Sequence, residues 1–132
     1  MRSNVSPYHP EVFVFGSNLA GRHGAGAALH ARKHYGAQYG VGVGFTGCAY
    51  AIPTKDAQLR TLPLSRIKEY VVAFIGFATA HPELEFTLTR IGCGLAGYSD
   101  LQIAPLFVGC PANVEMPEGW RDYARTTEPV RQ

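Results

Sequence analysis

Cysteine is scarce and unpatterned in this 132-residue chain. Cys48, Cys93 and Cys110 are odd in number, widely spaced and form no Cys-x-x-Cys pair, so neither a disulfide framework nor a zinc site is indicated, and no metal is expected. That usage fits a reducing compartment. There is no run of about 18 apolar residues and no secretory pattern, so a cytoplasmic location without a membrane partner is expected. Net charge is also small. Twelve Lys and Arg against ten Asp and Glu leave +2, too little to demand nucleic acid as a partner. The two best-known phosphate signatures are missing: no Gly-Lys-Ser/Thr follows a glycine loop, and Gly-x-Gly-x-x-Gly does not occur. With no repeat and no linker, the length and the 46% hydrophobic content fit one domain with one core.

Glycine is the residue in excess. Of 15 glycines, nine fall between Gly16 and Gly47, so that third of the chain places special demands on its backbone. Val12-Phe13-Val14-Phe15 reads as a buried strand ending at Gly16. Gly16, Gly21, Gly24 and Gly26 follow within eleven residues, and from Ala25 the Ala-rich sequence favours a helix to Tyr35, closed by Gly36. Strand, glycine loop and helix start present bare N–H groups and a positive helix end to an anion. The alternative is a tight turn that binds nothing. His30 and His34 stand i, i+4 on this helix without a third metal ligand in view, which also suits a solvated helix face.

Residues 37–47 alternate glycine with other residues and read as a connecting segment or irregular strand. Cys48 to Pro53 reads as a second strand, with Thr54-Lys55-Asp56 at its C-terminal edge, where open α/β sheets bind ligands. Ser65 is a candidate N-cap for a helix over about 66–80, supported by the spacing of Ile67, Tyr70, Val71, Phe74, Phe77 and Ala78 and stopped by His81-Pro82. Glu85 to Ile91 is a third strand. It runs into a second glycine loop, Gly92-Cys93-Gly94-Leu95-Ala96-Gly97-Tyr98. Ser99 can cap a short helix, Asp100 to Phe107, whose first turn suits the Asp100 carboxylate. Asn113 to Met116 is a candidate edge strand. The expected organisation is a lead-in over 1–11, a domain over 12–120 and a tail over 121–132.

This alternation argues for a parallel or mixed α/β sheet with helices on both faces. Both glycine loops follow strands and precede helices, so they fall on one sheet edge, where two loops can clamp a diphosphate. A Cys93–His23 nucleophile and base is a further arrangement to consider. Arg90 precedes the second loop and can pair with phosphate or with Asp100. Tyr98 and Phe45 are candidate platforms for a base.

With these motifs in place, the chain resembles the macrodomain family, the ADP-ribose-binding α/β/α fold. Gly16-Ser17-Asn18-Leu19-Ala20-Gly21-Arg22-His23-Gly24-Ala25-Gly26-Ala27-Ala28 looks like the family's first loop. Thr89-Arg90-Ile91-Gly92-Cys93-Gly94-Leu95 looks like its second. Ile52-Pro53-Thr54-Lys55 resembles the strand end of the branch that removes terminal ADP-ribose from acidic side chains or from DNA bases. The resemblance covers about Val12 to Phe107.

It implies a compact three-layer domain with a mixed sheet and an ADP-ribosyl glycohydrolase that needs no cofactor. Its partner would be ADP-ribose or an ADP-ribosylated macromolecule, DNA included. Asn18 would lie near the distal ribose, with Gly24, Ala25 and Gly26 under ribose and phosphates. Gly92, Cys93, Gly94 and Leu95 would wrap the diphosphate. Lys55 would attack the anomeric carbon, which requires an unprotonated amine. Read without the resemblance, Lys55 is a surface lysine beside Asp56. Two departures stand out. Ala96 occupies the position of the branch's assisting aspartate, leaving Asp100 or Asp56 to serve, and no aspartate precedes Val12 to read adenine. The alternative function is a binder of ADP-ribose or a related nucleotide without hydrolysis.

Overall fold

The computed structural model describes residues 11–124. The expected lead-in and tail lie outside these residues, apart from Glu11 and Arg121 to Ala124. The first strand, β1 (Glu11–Asn18), is followed by helix α1 (Gly26–His34), β2 (Gly44–Thr46), β3 (Ala49–Lys55) and helix α2 (Leu64–Ala80). Then come β4 (Glu85–Leu88), α3 (Asp100–Ile103), a 3-10 turn (Ala104–Phe107), β5 (Val114–Glu115) and α4 (Trp120–Tyr123). The sheet is mixed, in the order β2-β3-β1-β4-β5. β1 pairs parallel with both β3 and β4, β4 pairs parallel with β5, and only β2 is antiparallel.

Strand alternation sends neighbouring side chains to opposite faces. On one face Val12, Val14, Tyr50, Ile52, Phe86 and Leu88 join Ile67, Val71, Phe74 and Ala78 of α2 in the main core. On the other, Phe15, Ala49 and Ala51 pack with Ala28 and Ala31 of α1. Small residues on this second face let α1 approach the sheet closely. Among the described residues no helix is long and apolar enough to cross a membrane.

Several boundaries differ from the sequence reading. β1 does not stop at Gly16; its pairing with β3 continues through Ser17–Pro53, with an irregularity before Asn18–Lys55. β3 continues past Pro53 to Lys55. β2 covers only Ala49 to Ala51, so no β2 residue stands opposite Pro53 and its missing N–H is tolerated, while beyond it Thr54 O accepts Leu62 N–H at 2.8 Å and Lys55 bridges Thr61. Helix α2 begins at Leu64 with Pro63, not Ser65, as its N-cap. Pro63 supplies the fixed φ, and its carbonyl accepts the N–H groups of Arg66 and Ile67. β4 ends at Leu88, and the segment to Ile91 is irregular. The region 100–107 divides into one α-turn and one 3-10 turn, with Pro105 in the latter. Ser99 is the N-cap, and its backbone N–H donates to Gln102 Oε1 at 2.9 Å. The expected tail begins as helix α4, anchored by fully buried Trp120.

Candidate ligand-binding cleft

Because β1, β3 and β4 run parallel, their carboxyl ends meet on one edge, and there a cleft of about 730 Å³ opens. The first loop forms one wall with Asn18, Arg22, Gly24, Ala25 and Gly26. The second forms the facing wall with Arg90, Gly92, Gly94, Leu95 and Ala96, and Lys55 enters from the end of β3. The two glycine loops and the lysine strand end, far apart in the chain, therefore share one cavity.

The first loop is held by backbone contact. Gly42 lies so close to β1 that an added Cβ would stand 2.1 Å from the Asn18 carbonyl oxygen. Gly21 has φ +72°, and a Cβ there would stand 2.2 Å from the Gly40 carbonyl carbon; Gly40 N–H donates to Gly21 O at 2.8 Å. The Gly40–Gly42 segment is thus the packing surface on which the first loop rests. Buried Ser17 donates its hydroxyl to Gly42 O. The Asn18 amide closes the loop: Oδ1 accepts Arg22 N–H and Nδ2 donates to Arg22 O, both at 3.0 Å.

His23 points inward from this loop and is fully buried. It meets the Phe15 ring edge-on at 5.4 Å and Tyr39 at 6.0 Å. Nε2 lies 3.2 Å from Val41 O, and Nδ1 has no partner among the described residues. Burial pushes its pKa below the usual 6.5, against the opposing pull of the Val41 carbonyl. Nε2 is therefore the protonated nitrogen of a neutral ring.

The second loop is pinned from beneath. Arg90 donates to Asp100 Oδ2 at 2.6 Å and to Glu118 O at 3.0 Å. Asp100 also faces the indole N–H of Trp120, which is buried with no acceptor in full hydrogen-bond geometry. That indole, and then Arg90 and Cys93, hold the Asp100 carboxyl below its ordinary pKa. Thr61 Oγ1 donates to Ala96 O at 3.0 Å and ties the loop to the segment after β3.

Nine of the twelve sequence-predicted site residues line the cleft: Asn18, Gly24, Ala25, Gly26, Lys55, Arg90, Gly92, Gly94 and Leu95. Asp56, Cys93 and Asp100 do not. Asp56 Oδ1 accepts the N–H groups of Gln58 and Arg60, each at 2.9 Å, and Oδ2 accepts from Arg60 Nε at 3.2 Å. These bonds, the Arg60 N–H first, lower its pKa and commit it to its own turn. Asp100 serves Arg90 and the start of α3. Cys93 is pushed up to about 11 by burial and by Asp100, and is a protonated thiol at neutral pH. His23 is enclosed by Phe15, Val41 and Tyr39, so the Cys93–His23 arrangement is not formed. Tyr98 donates to Leu62 O at 2.7 Å, and Phe45 packs on Phe77; neither lines the cleft. His30 packs on Phe13 and Tyr35 and against the His34 ring, and both histidines are exposed on the helix surface.

The sequence reading missed three lining residues of chemical interest: Arg22, Tyr39 and Leu59. Arg22 lay inside the quoted loop, where a basic side chain between glycines was the signal. Tyr39 precedes the glycines that pack on that loop, a contact no local pattern reveals. Leu59 is the one described non-glycine residue with positive φ, at 66°, held there by the Asp56 turn.

Among the described residues the charged side chains lining the cleft are Arg22, Lys55 and Arg90, with no carboxylate and no imidazole among them. Among the described residues no acceptor takes the N–H groups of Gly94, Leu95 or Ala96. The first-turn N–H groups of α1 are also without intrahelical partners. Bare amides, a helix N-terminus and the cations Arg22 and Lys55, with Arg90 already paired to Asp100, are groups of the kind that can hold an anion. No protein-family model matches the chain, and comparisons with curated proteins and with solved structures give no match.

Proposed function

We propose that the cleft holds an ADP-ribosyl group, that the domain has the three-layer macrodomain-like arrangement, and that Lys55 releases the ADP-ribose. One observation carries this reading: two glycine loops with unpaired N–H groups and the Lys55 side chain line the same cationic cleft. The diphosphate would lie between the loops and the distal ribose toward Lys55. Nζ then attacks the anomeric carbon. The bond from that carbon to a carboxylate oxygen or base nitrogen breaks, and its electron pair leaves with the departing group. Water next hydrolyses the Nζ–carbon bond, freeing ADP-ribose and lysine. Among the described residues no carboxylate or ion-pair partner holds Nζ. With no carboxylate or imidazole of the described residues lining the cleft, the proton shed by Nζ passes to the departing group or to solvent.

A second reading, binding without hydrolysis, is favoured by Ala96, which lines the cleft at the position where the resemblance implies an assisting aspartate. Calorimetric titration with ADP-ribose, with AMP and ribose 5-phosphate as controls, tests the site. Turnover of an ADP-ribosylated peptide and oligonucleotide by wild type and Lys55→Ala tests the chemistry. The expected result is retained binding and a loss of turnover by orders of magnitude. Binding without turnover in the wild type selects the second reading. Turnover unchanged in Lys55→Ala refutes the lysine mechanism.

A further inference from the structure

Resting on that reading of the cleft, we infer that it selects the diphosphate and the riboses it carries but not the base, so that nucleotides of any base are accepted. The uncharged polar side chains that line the cleft, Tyr39 apart, each hold a hydrogen bond to backbone. Ser17 donates to Gly42 O, Thr89 to Val14 O at 2.8 Å and Thr54 to Ser17 O at 3.5 Å. The Asn18 amide brackets Arg22. Among the described residues no Asp, Glu, Gln or His side chain lines the cleft. A base edge is discriminated by donors and acceptors waiting for it, and rejection of the wrong edge comes from leaving them unpaired. Here the side chains available are cations, apolar surface and one aromatic ring.

That ring is Tyr39, which is 57% exposed. Arg32 Cζ lies 5.4 Å from its centroid, and His23 meets it at 77° from within the fold. Cation and imidazole hold the ring in place, and it still presents surface to the cleft. Stacking on such a ring tolerates every base, because each has a π-face.

The test is calorimetric titration of the full chain with ADP, GDP, CDP, UDP, ADP-ribose and inorganic pyrophosphate, for wild type, Tyr39→Ala and Tyr39→Phe. The four nucleoside diphosphates are expected to agree within about threefold, as base stacking predicts. Tyr39→Ala should weaken all four by about five- to tenfold, the low end of base–aromatic stacking, with pyrophosphate unchanged and Tyr39→Phe like wild type. A preference for ADP of about thirtyfold or more, the signature of edge hydrogen bonds, overturns the inference alone. So does nucleotide affinity unchanged in Tyr39→Ala. ADP-ribose binding no tighter than ADP refutes the ADP-ribosyl reading and leaves base tolerance standing. Pyrophosphate bound with no nucleotide bound overturns both.

Discussion

Replacing Gly42 by alanine probes the contact on which the cleft depends. The new Cβ would stand 2.1 Å from the Asn18 carbonyl oxygen and 3.1 Å from the carbonyl carbons of Asn18 and Leu19. All three are backbone atoms, so no side chain can swing aside; the 40–42 segment and the first loop must separate by about an ångström, a form of overpacking. Overpacking costs about 1–3 kcal/mol. Separation also breaks the buried Ser17 hydroxyl bond to Gly42 O, a further loss of about 1 kcal/mol. Together these give a destabilisation of about 2–4 kcal/mol, a large share of the stability of a domain this size. The urea midpoint should fall by about 1–2 M. Trp120, the single tryptophan and fully buried, reports the transition by fluorescence. Gly76→Ala is the matched control. Gly76 lies within α2 and an added Cβ there meets nothing within 4 Å, so the same chemical change should stabilise by about 0.5–1 kcal/mol. A Gly42→Ala protein as stable as wild type would refute the backbone contact and, with it, the packing role of the Gly40–Gly42 segment.

Three further outcomes follow from the same geometry. Gly94→Glu should fold normally, since a Cβ at Gly94 meets nothing within 4 Å, yet abolish ADP-ribose binding measured by calorimetry, because its carboxylate would stand at the anion site. Retained binding would show that the diphosphate lies elsewhere. His23 binds its proton less readily folded than unfolded, so the unfolded chain takes up more protons and stability declines as pH falls from about 6.5 toward the lower folded pKa. Urea titrations across that window should show this slope in wild type and a smaller one in His23→Gln; equal slopes would remove His23 as the cause. Cys48 is exposed, whereas burial raises Cys93 and Cys110 to about 11. A thiol reagent at pH 7.5 should modify one cysteine quickly and two slowly, and mass mapping should find the fast label on Cys48.

The alternation of elements was legible in the sequence because each has a local cause. Val12 to Phe15 is β-branched and aromatic, and α2 repeats its apolar residues at helical spacing, so periodicity alone marks both. Gly36, with φ +75°, sits just after α1 where a terminating glycine is expected. The loops lining the cleft were legible for a related reason: parallel strands put their carboxyl ends on one edge, so loops following β1 and β4 had to be neighbours. Local sequence specified less well where pairing partners decide an element's length. β1 runs through Gly16 because β3 is beside it, and β3 runs past Pro53 because β1 on one side and the Thr61–Leu62 segment on the other hold it.

By itself, then, the sequence determined the α/β alternation, the two glycine loops and the proximity of Lys55 to them, all consequences of backbone propensity and chain direction. Only the tertiary structure decided which side chains face the cleft and which are already occupied. Asp56 and Asp100 have the right chemistry and the right neighbourhood, but hydrogen bonds to Arg60 and Arg90 turn them to structural work. Tyr39 and Arg22 reach the cleft instead. The physical reason is that a polar side chain takes whichever partner the fold brings within about 3 Å, and that choice is made by contacts between distant segments.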